Sequence, residues 1–168
     1  MLFIAAAGSA QKNELINAAI EMKSVHPIKV AMIIQAKGEG IDDMKKKVVK
    51  AKEQIDICLA KQKETKSLTK SKDLSKMHYY AGMIYMTYPM FGVVDEVIQK
   101  DLEVNQEEYS KLATESFKAS LATTSNYYEE EIKGMLEPIR GASINQGVQL
   151  FQDKDFVNAY LAFTSSVE

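Results

Sequence analysis

Few side chains in this sequence are of the types that carry nucleophilic or metal chemistry. The chain of 168 residues contains one cysteine, Cys58, and two histidines, His26 and His78. A single cysteine excludes a disulfide within the chain and a zinc site built from several cysteines. Cys58 follows Ala51 and Ile55 at helical spacing, which predicts a small core residue. Both histidines are interpreted as packed or surface residues.

Sequence motifs of catalysis are missing as well. The chain has no glycine-rich phosphate loop and no HExxH or GxSxG motif. We therefore predict a protein that is not an enzyme and that uses no cofactor and no metal. One alternative stays open, a helical ligand carrier or enzyme that uses His78 and the neighbouring tyrosines.

Methionine and tyrosine are concentrated between residues 77 and 91. Methionine adapts to irregular surfaces and tyrosine offers a large amphipathic contact, so both are typical of binding interfaces. Packing against neighbouring helices is the alternative interpretation. We predict that part of this segment lines a groove for a partner. The candidate partner-binding residues are Tyr80, Tyr85, Tyr88, Lys46 and Lys50.

Charge is unevenly distributed along the chain, although the net charge is only −2. Residues 1–92 contain 15 lysines and 9 acidic residues, whereas residues 93–168 contain 6 basic and 14 acidic residues. The densest basic stretch, 45–76, indicates either a solvated lysine-rich helix or a surface that attracts an anionic partner. Nucleic acid is a poor fit, because this stretch has no arginine for bidentate base contacts and no aromatic ring for stacking.

The first ten residues, MLFIAAAGSA, are apolar and end in small residues. These are two features of a secretory signal, whose third feature, a basic start, is missing. Residues 1–10 are either the remnant of a signal peptide that starts upstream or the beginning of an N-terminal helix. The first interpretation predicts an exported, periplasmic protein and the second a cytoplasmic one. No run approaches the roughly 20 apolar residues of a transmembrane segment.

Apolar residues recur at helical spacing throughout, and no segment shows the sustained alternation typical of strands. The composition, 46% hydrophobic and 26% charged, is that of a globular domain. We predict an all-α fold of about nine helices, at 11–22, 28–37, 43–64, 74–88, 93–103, 106–122, 126–136, 141–152 and 155–167. Asp73 and Asn105 are predicted to cap the fourth and sixth helices, and Pro138 to end the seventh.

The last predicted helix pair carries the clearest repeat signal. In residues 144–163, Gly147 precedes Ala159 by twelve positions, Phe156 lies three positions before this alanine, and Phe163 lies four after it. The small residues let two helix backbones approach closely, and the phenylalanines fill the space around the contact.

Two earlier helices carry matching halves of the same pattern. Gly82 occupies the place of the small residue on a first helix, and Ala113 with Phe117 the places on a second helix. The interval of 31 residues from Gly82 to Ala113 indicates an insertion. Over residues 45–168, and most clearly over 144–166, the sequence resembles the tetratricopeptide repeat family.

This resemblance implies a right-handed stack of antiparallel helix pairs, an α-solenoid, in one domain over residues 11–168. It also implies a non-enzymatic scaffold or adaptor that binds a protein or peptide on a concave surface. The alternative hypothesis is a structural or envelope-associated subunit that assembles with copies of itself through its C-terminal helix pair. In both cases the expected partner is a protein.

Overall fold

The computed structural model describes residues 2–124 and 127–154, with side chains from residue 11 onward except at 138–139, 142–143 and 146–147. These residues form six α-helices and one 3-10 helix and contain no strand, which confirms the predicted all-α class. The helices are α1 (Leu2–Met22), α2 (Pro27–Gln35), α3 (Ile41–Thr65), α4 (Ser71–Thr87), the 3-10 helix (Tyr88–Val93), α5 (Glu96–Leu121) and α6 (Glu129–Gln152).

The chain divides into two compact units, Met1–Tyr128 and Glu129–Glu168. The first unit contains α1 to α5, and the second contains α6. Residues 2–10 are helical and form the start of α1. They belong to the stretch 1–10, for which a signal-peptide remnant was one of the two interpretations. Export itself stays a prediction. Within the described part of the chain, no helix has both the length and the apolar character needed to cross a membrane.

The first unit is built from antiparallel neighbours, beginning with α1 and α3. The Gln11 side-chain amide donates to the Cys58 carbonyl over 3.0 Å, and Lys50 Nζ lies 4.0 Å from Glu21 Oε1. Later residues of α1 therefore contact earlier residues of α3, so the two helices are antiparallel. Gln11 also accepts a hydrogen bond from the Ser67 hydroxyl, so the same buried side chain holds the loop that follows α3.

α4 and α5 form the second antiparallel pair. The Ser75 and Ser120 hydroxyls are 3.2 Å apart and are both buried. Further along α4, Gly82 meets the ring of Phe117, which precedes Ser120 in α5. α4 also contacts α3, and the 3-10 helix contacts α3, α4 and α5. This arrangement brings α3 and α5 to the two sides of the 3-10 helix.

α3 buries one stripe of small and branched side chains. Val48, Ala51, Ile55 and Cys58 have no exposed surface and recur at steps of three and four residues. The prediction that Cys58 is a small core residue is therefore confirmed. Burial raises the pKa of the Cys58 thiol to about 11, so the neutral thiol is the form present at neutral pH.

The prediction of two separate helices on either side of Asn105 is wrong. Asn105 lies inside the continuous helix α5, where its side-chain amide donates to the Asp101 carboxylate over 2.8 Å. The capping residue of α5 is Asp95, whose carboxylate accepts hydrogen bonds from two backbone amides of the first turn. The predicted cap at Asn105 does not form, because the Asn105 side chain binds Asp101, one turn earlier in the same helix, and does not begin a new helix.

Two other predicted boundaries are also wrong. α6 continues through Pro138, so the predicted seventh and eighth helices are one helix. A proline in a helix interior costs about 3 kcal/mol, and here it does not end the helix. α4 begins before Asp73, which lies in its first turn and pairs with Lys12 at 3.2 Å. The predicted helix at 155–167 lies outside the described residues.

Candidate functional site

α3 and the N-terminal part of α5 border a groove with a volume of about 520 Å³. Its lining includes Lys46 and Lys50 of α3, Tyr88 of the 3-10 helix, and Val97 of α5. The first three of these residues were predicted to bind a partner, and the structure brings them together. We refer to this surface as the α3–α5 groove.

An ion pair fixes the spacing of the two sides of this groove. Lys45 Nζ lies 2.9 Å from Asp95 Oδ2 and 3.2 Å from Asp42 Oδ1. The hydrogen bond from Lys45 lowers the pKa of Asp95, and the bonds to both carboxylates raise the pKa of Lys45. Because Asp95 also caps α5, this contact ties α3 to the start of α5.

Lys46 and Lys50 present positive charge to the groove. Among the described residues, Lys46 forms no ion pair, and Lys50 has only a 4.0 Å contact to Glu21 with 68% of its side chain exposed. Lys47, in contrast, is paired with Asp43 at 2.6 Å. Glu21 also lines the groove, so once the Lys45–Asp95 and Lys47–Asp43 pairs are set aside, Lys46 and Lys50 leave it with a net charge of +1 for an anionic partner.

An exposed apolar side chain, Val97, lies beside these lysines, and two more, Val93 and Val104, lie outside the groove lining. Val97 lines the groove and is 76% exposed, while the adjacent Ile98 is buried. Val93 and Val104 are 76% and 83% exposed. A surface with apolar side chains and a basic border fits a chain segment that combines acidic and apolar residues.

Tyr88 also belongs to a cluster of tyrosines and aspartates from four elements. The Tyr85 hydroxyl donates to Asp56 Oδ1 over 2.6 Å, and the Tyr109 hydroxyl donates to Asp101 Oδ2 over 2.5 Å. The ring centroids of Tyr88 and Tyr109 are 5.2 Å apart. We refer to Tyr85, Tyr88 and Tyr109, with these two aspartates, as the tyrosine cluster.

Lys52 completes the tyrosine cluster. Its Nζ lies 5.4 Å from the ring centroid of Tyr88 and 5.5 Å from that of Tyr109, and 2.9 Å from Asp56 Oδ2. Burial raises the pKa of Tyr88 to about 12 and also raises the pKa of Tyr85 and of Tyr109. The hydroxyls are therefore protonated at neutral pH. That of Tyr85 links α4 to α3 and that of Tyr109 binds within α5, while a ring contact joins Tyr88 of the 3-10 helix to Tyr109.

Tyr80, another predicted partner-binding residue, lies in a different aromatic group. Its ring centroid is 5.1 Å from that of Tyr79 and 6.4 Å from that of Tyr128. Lys76 Nζ lies 5.9 Å from the centre of the Tyr80 ring. The structure therefore separates Tyr80 from Tyr88 and the α3–α5 groove.

The residues predicted to pack repeat helices are described only in part. A Cβ atom added at Gly82 would lie 2.5 Å from ring carbons of Phe117, so the two helices approach closely at this glycine. Ala113, one turn before Phe117, is buried. The remaining predicted packing residues lie outside the described side chains: Gly147, Phe156, Ala159 and Phe163.

Sequence analysis did not identify most of the tyrosine cluster. Asp101, Asn105 and Tyr109 follow one another at four-residue steps, which is a helical signal, but the break predicted at Asn105 separated them. Lys52 and Asp56 have the same spacing on α3 and were taken together with the other charges of the lysine-rich stretch.

Comparisons and metal-binding geometry add no further assignment. In the described ranges, no three His, Cys, Asp or Glu side chains are grouped so that they could hold a metal ion. No protein-family model matches the chain, and no curated protein or solved structure matches it either.

Proposed function

We propose that the protein is a non-enzymatic scaffold or adaptor that binds an acidic segment of a protein or peptide in the α3–α5 groove. The observation that carries this proposal is the common lining of the groove by Lys46, Lys50, Tyr88 and Val97. Acidic side chains of the segment pair with the two lysines, and its apolar side chains cover Val97; Tyr88 lines the groove with only 9% of its surface exposed.

The tyrosine cluster supports this proposal by holding the groove in shape. The Tyr85–Asp56 hydrogen bond joins α4 to α3, and the ammonium of Lys52 in α3 lies over the rings of Tyr88 and Tyr109, which joins α3 to the 3-10 helix and α5. A groove whose walls are fixed before binding loses less conformational freedom when a segment enters it. Binding then orders mainly the partner and the long lysine side chains.

The tetratricopeptide-like architecture belongs to the same proposal. The antiparallel packing of α4 on α5 and the close approach at Gly82 support a stack of helix pairs. In such a stack the α3–α5 groove is the binding surface, and the 3-10 helix occupies the place of the predicted insertion. Repeat proteins of this kind bind partners on extended surfaces of the stack.

A labelled peptide of alternating glutamate and leucine residues tests the proposed function by fluorescence anisotropy. We expect the chain with Lys46→Glu and Lys50→Glu to bind it at least about tenfold more weakly than the wild type, or about 1.4 kcal/mol. The matched control carries Lys29→Glu and Lys63→Glu, which are exposed and outside the groove lining, and it retains wild-type affinity.

Two outcomes contradict the proposal. In the first, the wild type binds this peptide no better than a peptide of alternating lysine and leucine. In the second, the groove variant and the control variant lose the same affinity, which would indicate that the overall charge and not the groove governs binding. Circular dichroism of each variant shows that its helices are retained.

A further inference from the structure

One face of α5 changes from apolar to acidic along its length. Val97 and Val104 are seven residues apart and therefore share this face, and they are 76% and 83% exposed. Glu108 follows Val104 by four residues on the same face. Glu107 and Glu108 line a second, shallow groove with a volume of about 410 Å³. Neither of these glutamates forms an ion pair with a described residue.

Val97 lines the α3–α5 groove and Glu108 lies on the same face of α5, so the acidic end belongs to the side of this helix that borders the groove. The negative charge of Glu108 helps to raise the pKa of Tyr85, a member of the tyrosine cluster behind the groove. Lys111 lies in the same shallow groove and pairs with Glu115 at 3.8 Å, so three glutamates face one lysine there and the negative charge prevails. One continuous surface therefore has a basic end, an apolar middle and an acidic end.

We propose that the acidic segment bound in the α3–α5 groove is α5 of a second copy of this chain, in a two-fold symmetric dimer. This inference rests on the proposed function, since it names the partner for the same groove. A surface that is basic at one end and acidic at the other is complementary to itself when one copy is turned end over end.

The lengths along α5 agree with such a pairing. Val97, beside the lysines, and Glu108 are separated by about 16 Å at the rise of an α-helix. A two-fold axis between these positions places Val104 of one copy near Val104 of the other. It also places Glu107 and Glu108 of each copy near Lys46 and Lys50 of the other. The apolar contact then lies in the centre and the charges lie at the edge, as is typical of interfaces.

Exchange of the charges tests this dimer. The basic-end variant carries Lys46→Glu and Lys50→Glu, and the acidic-end variant carries Glu107→Lys and Glu108→Lys. Each variant alone places like charges opposite each other at both ends of the interface. In an equimolar mixture, every glutamate of one variant faces a lysine of the other. A fourth chain carries all four substitutions, and in its own dimer the glutamates at positions 46 and 50 face the lysines at positions 107 and 108 of the other copy.

Light scattering on a size-exclusion column at low salt measures the outcome. We expect twice the monomer mass for the wild type, the monomer mass for each single-end variant, and twice the monomer mass again for their mixture and for the fourth chain. The dissociation constant of the dimer should be at least about tenfold higher for each single-end variant than for the wild type. Circular dichroism confirms that each variant retains its helices.

Other results overturn the inference and separate it from the proposed function. A wild type that stays monomeric at every concentration but binds the glutamate–leucine peptide excludes the second copy and leaves the groove function intact. Failure of both dimerisation and peptide binding rejects both proposals. A mass that keeps rising with concentration indicates head-to-tail assembly and excludes the closed dimer. Single-end variants that dimerise like the wild type place the interface elsewhere.

Discussion

The contact between Gly82 and Phe117 shows how one missing side chain sets the distance between two helices. A Cβ at Gly82 would lie 2.5 Å from two ring carbons of Phe117, and this ring is only 1% exposed. The surrounding core limits the space into which the ring can move. The glycine therefore permits an approach of α4 and α5 that any other residue would prevent.

Gly82→Ala should destabilise the protein for this reason. Overpacking of a buried site costs about 1–3 kcal/mol, and the better helix propensity of alanine returns up to about 1 kcal/mol. We expect a net loss of about 1–2 kcal/mol in the free energy of unfolding. Urea unfolding followed by circular dichroism measures it.

Gly134→Ala is the matched control. Gly134 lies in α6, and a Cβ added there has no atom within 4 Å. Only the propensity gain applies, so stability should be unchanged or rise by up to about 1 kcal/mol. Equal effects of the two substitutions would show that steric contact with Phe117 is not what the glycine avoids.

Single residues also show where sequence analysis succeeds and where it fails. The burial of Cys58 follows from residue type and helical spacing, which are local signals. Gly82 and Phe117 are predicted as packing residues by the resemblance to a repeat, but their contact with each other is not. The separation of Tyr80 from Tyr88 does not follow, because it depends on which face of α4 meets α5 and on the turn into the 3-10 helix. Only the packed helices decide this.

At the scale of elements, the tyrosine cluster links α3, α4, the 3-10 helix and α5 through a hydroxyl hydrogen bond, ring contacts and the Lys52 ammonium. Burial raises the pKa of Tyr88 to about 12, and it also raises the pKa of Tyr85 and Tyr109. In the unfolded chain each tyrosine has a pKa of about 10. The folded state therefore holds these protons more tightly. The stabilisation from Tyr88 is complete below about pH 10 and is lost as the pH rises through about 12, and the contributions of Tyr85 and Tyr109 are likewise complete below about pH 10 and fall at more alkaline pH.

Tyr109→Phe should make this alkaline loss shallower. Each proton held by the folded state but released by the unfolded chain contributes up to about 1.4 kcal/mol per pH unit to the slope of stability against pH. Removal of the Tyr109 hydroxyl removes one such proton. It also lowers stability at neutral pH, because Asp101 loses a hydrogen bond. Urea unfolding at a series of alkaline pH values measures the slope.

Tyr127→Phe serves as the comparison, because this tyrosine is 56% exposed and lies outside the cluster. Its alkaline slope should equal that of the wild type. Lysine titration is common to all three proteins and cancels in the comparison. A Tyr109→Phe slope as steep as that of the wild type would show that the cluster does not hold the proton.

Helix boundaries show which parts of the elements were predictable. α3 was predicted almost completely, because acidic residues follow its start and one apolar stripe runs its length. Two helices were predicted in place of α5, because a polar residue such as Asn105 occurs both at helix caps and in the middle of helices. The difference lies in its partner, Asp101, one turn earlier. The tyrosine cluster was missed for the same reason.

At the scale of the whole molecule, charge is separated between the two parts of the sequence. The net charge is −2, yet the groove is bordered by Lys46 and Lys50, which have charge available, and the acidic residues are concentrated after position 93. An approaching acidic segment is thus repelled by the net charge and attracted by the groove. Salt screens the long-range repulsion and the short-range attraction to different extents, so the salt concentration decides which of the two dominates.

The sign of the salt dependence decides between these two effects. Contacts at the groove are short, whereas the net charge acts over longer distances that salt screens first. If the groove governs binding, the glutamate–leucine peptide should bind more weakly as sodium chloride rises, mainly through a slower association rate. Stopped-flow anisotropy at several salt concentrations measures this rate. The variant with Lys46→Glu and Lys50→Glu should lose the dependence or reverse it, because only the repulsion remains. Wild-type binding that strengthens with salt would assign control to the net charge and contradict the groove as the binding site.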